Sequence, residues 1–512
     1  MRSKRKTCHG GPSQQEQDSP AVANEVFVID EEVSHLTRLK SEPSEKTRAC
    51  LHAGKSHIST FKLLSSRESN RSGFGRFSSA DCSYALRKHL PVRGPWCVDS
   101  MDCAAYISQF SLDGSLLIGA FRGGRIRIYN ADKKWKIHKD ITCKSLRWTV
   151  SDIALSPDQQ YLAYSSLSPT VHIVNVQNAP KQSHANITDV HEGLNFSAAD
   201  DESSFGIFSI KFSKDGRELV VGNSNESICI YDLGANKVTE RIHAHVADVN
   251  AVTFADESGG VLYSGSDDSL CKVWDRRCHN RAKPVGVLAG HLDGVTFIDS
   301  HGDGHYFISN CKDQTIKLWD IRKLSSATKD CTPKAYEWDY RWMTYPSEAR
   351  FLKHPYDQSL ATFRGHSVLR TLIRCYFSPM HSTGQRYIYT GSSDQCVYIY
   401  DVATGNVVET LKWHGSIVRD CSWHPHLPTL VSSSWDGYLV RWKQRRRRTT
   451  TQPPSIKGSR RCVRRDTHSR CRNIPWQRHA GGLAQVYIKA KSRCTDPSHC
   501  RSTSIFSNLT VF

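Results

Sequence analysis

The sequence contains two matching tetrapeptides, Trp274-Asp275-Arg276-Arg277 and Trp319-Asp320-Ile321-Arg322, which lie one repeat length apart. Each follows a stretch in which apolar residues alternate with variable ones, the pattern of a half-buried β-strand. The Arg two positions after each Asp is not needed to form a strand. Its recurrence therefore predicts a partner that contacts two neighbouring repeats at once.

Similar strand endings occur seven times along the chain. They fall at positions 129, 175, 231, 274, 319, 400 and 442, so the intervals are 46, 56, 43, 45, 81 and 42 residues. Four intervals match the ~40–45-residue period of WD40 repeats. The two long intervals predict insertions, at residues 177–204 and 323–365. We therefore expect an all-β protein whose residues 94–443 form a seven-bladed WD40 β-propeller.

Four of the repeats carry a second, polar pattern. A His opens the repeat, and a Ser or Thr and an Asp lie ten and six residues before the aromatic ending. We predict that each set forms a buried hydrogen-bonded tetrad in which every polar group satisfies the next. The predicted tetrads are His245, Ser264, Asp268 and Trp274; His291, Ser309, Asp313 and Trp319; His366, Thr390, Asp394 and Tyr400; and His414, Ser432, Asp436 and Trp442.

Ser, His and Asp also form the catalytic triads of hydrolases, but a catalytic triad is a single set of these residues arranged at an exposed site. A set that recurs in repeat after repeat favours a structural role. The sequence has no Gly-rich phosphate-binding loop and no isolated nucleophile, so we expect a non-catalytic protein without a cofactor. Its 18 Cys residues form no Cys-x-x-Cys pair, and the spacing of those in the tail fits no common zinc finger, so we predict no metal site.

Positive charge is concentrated at the two ends of the chain. Residues 1–93 carry 16 basic and 10 acidic side chains and residues 444–512 carry 16 and 2, whereas residues 94–443 carry 37 and 38. A nucleic-acid-binding domain usually concentrates basic residues on its folded body. We therefore expect nucleic acid to bind at most nonspecifically, through the basic tail. No stretch approaches the roughly 20 apolar residues that span a bilayer, so we predict no membrane association.

The N-terminal extension, residues 1–93, is predicted to be mostly disordered because it is rich in Ser, Lys and Arg. Residues 24–40 differ, because apolar residues recur there at helical spacing, and form a candidate amphipathic helix. This helix would dock either in the groove of a partner or on its own propeller. The apolar positions are Val26, Ile29, Val33, Leu36 and Leu39.

The C-terminal extension, residues 444–512, is also predicted to be disordered. It contains the run Arg445-Arg446-Arg447-Arg448, and such a run is typical of a nuclear localisation signal or a nonspecific polyanion contact. A solvated tail and an altered gene model are the alternatives. We expect the protein in both the nucleus and the cytoplasm.

Longer motifs resemble one family of WD-repeat proteins. The run Lys312-Asp313-Gln314-Thr315-Ile316-Lys317-Leu318-Trp319-Asp320-Ile321-Arg322 and the pentapeptide Trp338-Asp339-Tyr340-Arg341-Trp342 are similar to the WD-repeat substrate receptors of cullin-4 RING ubiquitin ligases. Arg364-Gly365-His366 and Ser433-Ser434-Trp435-Asp436-Gly437 also match. The resemblance is to the branch that contains WD-repeat protein twenty-three and the plant LEC-type proteins. It covers roughly residues 95–443 and leaves out the basic tail.

This resemblance implies a role for the repeated Arg. In these receptors the Trp-Asp-x-Arg box contacts the damaged-DNA-binding-protein-one adaptor, so Arg277 and Arg322, with Asp275 and Asp320, would bind this DDB-type adaptor. The other face and the 323–365 insertion would present a protein substrate for ubiquitin-dependent degradation by the proteasome.

Each of these features also has a purely structural explanation. Each Arg could simply pair with the Asp of its own turn, and Trp338 and Trp342, four residues apart, could pack a short helix onto the propeller rim. Because one fold supports many functions, a nuclear WD40 scaffold in an RNA- or chromatin-associated complex is the competing hypothesis.

Overall fold

The computed structural model describes residues 89–176, 191–197, 205–278, 283–324 and 338–444, with scattered positions between 64 and 87. The strands of these residues form seven four-stranded sheets with antiparallel pairing. The predicted seven-bladed β-propeller is therefore confirmed. The candidate helix at 24–40, the tail from residue 445 and most of the 177–204 insertion lie outside the described residues.

The blades are numbered in chain order, and the strands of each blade are given from the central axis outward. Blade 1 consists of β2 (Ala105–Phe110), β3 (Leu116–Phe121), β4 (Arg125–Asn130) and β5 (Lys136–Thr142). Blade 2 consists of β6 (Ile153–Leu155), β7 (Tyr161–Tyr164), β8 (Thr170–Asn175) and β9 (His191–Asn195). Blade 3 consists of β10 (Ile207–Phe212), β11 (Glu218–Asn223), β12 (Ser227–Asp232) and β13 (Lys237–His243). Blade 4 consists of β14 (Val249–Phe254), β15 (Val261–Ser266), β16 (Cys271–Asp275) and β17 (Gly286–Leu288).

The remaining blades follow the same plan. Blade 5 consists of β18 (Val295–Ser300), β19 (Tyr306–Cys311), β20 (Thr315–Asp320) and β21 (Ala361–Arg364). Blade 6 consists of β22 (Cys375–Phe377), β23 (Tyr387–Thr390), β24 (Cys396–Asp401) and β25 (Val407–Lys412). Blade 7 consists of β26 (Val418–Trp423), β27 (Thr429–Ser434), β28 (Tyr438–Lys443) and β1 (Arg93–Ser100). Short helical segments occur at Ile321–Lys323, Glu348–Phe351 and, as the α-helix α1, Met380–Thr383. Among the described residues, no helix is long and apolar enough to span a bilayer.

The core lies between the blades. Every residue of β19 and β20 is buried, because the sheets of both adjacent blades cover these inner strands. The outermost strand β13 instead alternates exposed with partly buried residues over most of its length. Seven hydrophobic clusters result, one between each pair of neighbouring blades, including blades 7 and 1.

The ring is closed by a strand from the other end of the propeller sequence. β1 pairs antiparallel with β28, so that Arg93 lies opposite Lys443 and Ser100 lies opposite Tyr438. The repeat pattern did not predict β1, because its residues Arg93–Ser100 show no regular alternation and include a Gly and a Pro. Blade 7 therefore combines the two ends of the propeller, and β1 covers the edge of β28 that would otherwise be unpaired.

A network of buried charges crosses the axis of the propeller. Arg374, at the start of blade 6, donates to Asp152 at 2.7 Å, although Asp152 belongs to blade 2 on the other side of the axis. The same guanidinium lies 3.7 Å from Asp420 of blade 7. The neighbouring Arg419 donates to the carbonyl oxygens of Tyr106 and Ser151. These side-chain contacts thus connect the inner parts of blades 1, 2, 6 and 7 directly to one another.

The contribution of β1 to ring closure can be tested by truncation. We expect deletion of residues 1–101 to lower the free energy of unfolding by about 5 kcal/mol or more. Each lost backbone hydrogen bond costs about 1 kcal/mol, and the apolar edge of blade 7 becomes exposed as well. Thermal unfolding followed by circular dichroism measures the change. Deletion of residues 1–88 leaves β1 intact and serves as the control. Equal unfolding temperatures for the two truncations would contradict the role of β1.

Candidate functional site

Three of the predicted tetrads, those of blades 4, 5 and 7, each form a continuous hydrogen-bonded chain. In blade 5, Nε1–H of Trp319 donates to Oγ of Ser309 at 2.7 Å, and this oxygen lies 2.6 Å from Nε2 of His291. Nδ1 of His291 lies 3.0 Å from Asp313. Since the indole already donates to the Ser oxygen, the Ser hydroxyl donates to Nε2, and the His ring carries its proton on Nδ1. The equivalent contacts of blades 4 and 7 are 2.7 to 3.0 Å long.

The tetrad carboxylates are stabilised in their charged form. Burial acts to raise the pKa of Asp313, but the interaction with His291 and the hydrogen bond from Thr315 hold it well below its usual value. In blade 4, burial lowers the pKa of His245 despite the neighbouring Asp268. His291, Cys311 and Asp313 bring possible metal-ligand atoms within 4.8 Å of one another. The His and Asp atoms of this group already hydrogen-bond within the tetrad, so the geometry supports a structural role.

The tetrad predicted in blade 6 is wrong. The hydroxyl of Tyr400 lies 3.0 Å from Nδ1 of His366, without Thr390 between them. The hydroxyl of Thr390 donates to the carbonyl oxygen of Arg374, and Asp394 accepts from Tyr398. The physical reason is that a phenol carries its hydroxyl at the far end of the ring, beyond the reach of an indole N–H. Tyr400 therefore contacts the His directly.

His366 contacts the neighbouring blade instead of a tetrad partner. Its Nε2 lies 2.9 Å from the side-chain oxygen of Asn310 in blade 5. Burial lowers the pKa of His366 to about 4, so the ring is neutral near pH 7 and Nε2–H donates to that oxygen. Blade 6 thus has a hydrogen bond to blade 5 in place of an internal hydrogen-bonded tetrad.

The Asp and Arg of the repeated tetrapeptides lie together at the turn after the third strand of their blades. In blade 4, Asp275 accepts from the backbone N–H, Nε and a terminal N–H of Arg277, each at 2.9 Å. This contact lowers the pKa of Asp275 and raises that of Arg277. The Arg277 side chain is nonetheless 72% exposed. One edge of the guanidinium is held by its own turn, and the other faces the solvent.

Blade 5 repeats this turn with one addition. Asp320 accepts from the backbone N–H, Nε and a terminal N–H of Arg322, again at 2.9 Å each. Arg322 also donates to the hydroxyl of Tyr306, and its guanidinium lies 5.3 Å from the centre of that ring. The Arg322 side chain is 45% exposed.

Both Arg side chains emerge on the same face of the propeller, because both follow the end of a third strand. We call this surface the turn face. The corresponding turns of blades 3 and 6 keep the Asp, as Asp232 and Asp401, but have Gly234 and Ala403 in place of the Arg. Only blades 4 and 5 of these four therefore present a guanidinium, and they are neighbours in the ring.

Comparison with known proteins supports one family. The profile "WD domain, G-beta repeat" matches residues 236–275, 282–320, 357–401 and 405–443. The chain is 61% identical to the LEC14B protein of Lithospermum erythrorhizon over 421 residues, which is 81% of this chain and 89% of that protein. It is 37% identical to the DDB1- and CUL4-associated factor 11 homolog of Caenorhabditis elegans over 398 residues, which is 74% of this chain and 68% of that protein.

The chain belongs to the LEC14B and DDB1- and CUL4-associated factor 11 family of WD40-repeat proteins. A LEC14B homolog of Prunus armeniaca is 58% identical over 441 residues, or 85% of this chain and 93% of that protein. The aligned lengths exceed the four matched repeats, so the similarity extends beyond the general WD40 pattern.

This family member has an insertion between the third and fourth strands of blade 5, of which residues 338–360 are described. The interpretation of Trp338 and Trp342 as residues of a short helix is wrong: residues 340–342 form a turn. Trp338 packs edge-on against Tyr345, with ring centres 4.9 Å apart. The Trp342 side chain does not pack on the rim, and the residue is 69% exposed.

The turn of the insertion is anchored on the face opposite the turn face. The carbonyl oxygen of Tyr340 accepts from the backbone N–H of Arg370 at 2.8 Å. The ring of Tyr340 lies 4.3 Å from Nζ of Lys312, which is ion-paired with Asp267 at 2.8 Å. Lys312 follows the second strand of blade 5, and second strands end on the opposite face from third strands. Lys312 and Tyr340 lie in two separate sequence motifs, and no spacing between them predicts that they meet.

The tetrad of blade 5 and the equivalent positions of blade 6, which form no tetrad, can be compared in a matched test. We expect Asp313→Ala to lower the free energy of unfolding by about 3 kcal/mol, because it leaves His291, the backbone N–H of Leu292 and both donors of Thr315 without their buried acceptor. Asp394→Ala, at the equivalent position of blade 6, should cost about 1 kcal/mol or less. Urea denaturation measures both. Similar losses for the two variants would contradict the assignment of blade 6.

Proposed function

We propose that this protein is a non-catalytic substrate receptor of a cullin-4 RING ubiquitin ligase. Its turn face would bind the DDB-type adaptor through Arg277 and Arg322, and its opposite face would present a target protein for ubiquitin-dependent degradation. The observation that carries this proposal is the pair of exposed guanidinium groups in matching turns of adjacent blades. The name of the Caenorhabditis elegans relative, DDB1- and CUL4-associated factor 11 homolog, supports the same assignment.

The local geometry suits a binding role. A free Arg loses rotamer freedom when it binds, at a cost of about 0.5–1.5 kcal/mol for each immobilised side chain. Here Asp275 and Asp320 already fix the two guanidinium groups, so less of that freedom is lost on association. The planar fork of Arg is suited to bidentate contacts with carboxylates and carbonyl groups, which Lys cannot reproduce. The pairing of each Arg with its own turn is therefore compatible with a partner contact.

The rigidity of the ring also favours binding through the two Arg turns. Blades 4 and 5 pack on each other through a buried cluster that includes Val295, Phe307 and Trp319. The two Arg turns are thus held at a fixed separation. A partner that has bound one turn meets the other at high effective concentration.

The opposite face offers a surface for the target protein. The insertion places Trp342, which is 69% exposed, next to Met343, which is 51% exposed. Exposed Trp residues close to Arg are typical of binding hot spots, and Arg341 precedes this pair. The backbone here is anchored by Tyr340, so the apolar side chains project from a fixed turn.

In this proposal the chain supplies proximity rather than chemistry. Other ligase subunits would transfer ubiquitin, and the receptor would raise the concentration of a target lysine near them. We further propose that the protein works in both the nucleus and the cytoplasm, with the Arg445–Arg448 run as the import signal.

The proposal is tested by replacing the two Arg residues. We expect the double variant Arg277→Ala, Arg322→Ala to lose adaptor co-purification, and Arg277→Lys, Arg322→Lys to recover little of it, because the ammonium group lacks the fork. Affinity purification with quantitative mass spectrometry measures the adaptor.

The chain contains its own control for this experiment. Arg341 forms the same turn with Asp339, through its backbone N–H at 2.9 Å and its Nε at 3.0 Å, but on the opposite face. Arg341→Ala should leave the adaptor bound. If the double variant still recovers as much adaptor as the wild type, the assigned contact is wrong.

A further inference from the structure

A second basic surface lies on the turn face, where blade 7 meets blade 1. Trp96 of β1 is surrounded by three cations: Arg93, Arg441 and Lys443 lie 5.9, 6.0 and 5.7 Å from the centre of its ring. The guanidinium of Arg441 also lies 4.8 Å from the ring of Trp135. We call these five residues the basic cluster.

The fold forces these cations together. Arg441 and Lys443 lie two residues apart on β28, so both point to the same side of the sheet. β1 pairs with β28 and brings Trp96 opposite Arg441 and Arg93 opposite Lys443. Trp135 reaches the cluster from the turn between β4 and β5 of blade 1. The cluster therefore exists only when the ring is closed.

The two guanidinium groups of the cluster are not neutralised by neighbouring carboxylates in the described part of the chain. Among the described residues, no carboxylate forms an ion pair with Arg93 or Arg441. The Nε atom of Arg441 is buried and makes no hydrogen bond there. The turn from blade 1 adds three exposed cations and one acidic residue, namely Lys133, Lys134, Lys136 and Asp132. Like charges gathered in this way repel one another, so a bound anion would relieve the repulsion.

The aromatic rings distinguish between two kinds of polyanion. Single-stranded nucleic acids bind by stacking bases on free aromatic faces. Here cations surround the Trp96 ring, and Trp135 carries Arg441 near its ring and Phe110 at 6.0 Å in an edge-on contact. The rings thus orient the cations instead of offering stacking platforms. This arrangement favours a partner that brings carboxylates, namely an acidic protein segment.

The cluster shares its face with the two Arg turns. Arg441 and Lys443 lie at the end of β28, the third strand of blade 7, just as Arg277 and Arg322 follow the third strands of blades 4 and 5. Blades 4 and 5 lie across the ring from the junction of blades 7 and 1. A partner that covers the turn face would reach both sites, and two sites held on one rigid ring increase affinity together.

We infer that the basic cluster is a second adaptor contact, which binds an acidic segment of the same adaptor that Arg277 and Arg322 hold. This inference rests on the proposed function, and it adds a defined partner chemistry: carboxylates bound by Arg93, Arg441 and Lys443. The cluster would contribute mainly long-range attraction and a faster association rate, since exposed charges act in this way.

The test uses the full-length chain and the purified adaptor. We expect Arg93→Glu, Lys443→Glu to weaken adaptor binding about tenfold at 0.15 M salt and to flatten its salt dependence, as measured by biolayer interferometry from 0.05 to 0.3 M salt. Both side chains belong to exposed residues, and the neutral pair Arg93→Gln, Lys443→Gln should give a smaller loss in the same direction. Arg122→Glu, Lys412→Glu makes the same charge change on the opposite face and should bind within about twofold of wild type.

The outcomes separate the inference from the proposed function. If Arg277→Ala, Arg322→Ala abolishes binding while the Glu and Gln variants of the cluster bind as tightly as wild type, the second contact is wrong and the first stands. If none of the variants weakens binding, both fail. If the Glu variant keeps the adaptor but loses a single-stranded poly-uridine oligonucleotide that the wild type binds, the cluster is a nucleic-acid site and the inference is overturned.

Discussion

The pairing of β1 with β28 is the constraint on which the remaining structure depends. Each blade buries its two faces against its neighbours, so an open ring would leave two apolar surfaces without a partner. Closure supplies the seventh interface, between blades 7 and 1, where Phe110, Leu117, Val431 and Leu439 pack together. The rigidity of the turn face follows from it, and so does the fixed distance between the two exposed Arg turns.

Features whose partners are close in sequence could be predicted from the sequence. The Asp-x-Arg turns join residues two positions apart, and the tetrads of blades 4, 5 and 7 recur at fixed spacing. Blade 6 shows the limit of such patterns. Thr390 and Asp394 stand at the expected positions, but the replacement of Trp by Tyr400 moves the donor atom and changes every bond of the set.

Contacts between distant segments could not be predicted in this way. Arg374 and Asp152 are 222 residues apart and meet only because the ring brings blades 6 and 2 to one axis. Tyr340 reaches Lys312 through an insertion whose path no periodicity describes. β1 carries no alternating pattern, because its bulges and its Pro interrupt the ladder. In each case the physical partner is determined by closure of the fold, which a single repeat does not encode.

The split origin of blade 7 has a consequence for the synthesis of this protein. β1 leaves the ribosome first, and its partner β28 is made about 340 residues later, which takes on the order of half a minute at roughly 5–20 residues per second. During that interval the nascent chain is an open arc of blades with an uncovered apolar surface at each end. Such surfaces are what chaperones recognise and what promotes aggregation. The last propeller strand to be translated, β28, is therefore the one that ends this period of exposure.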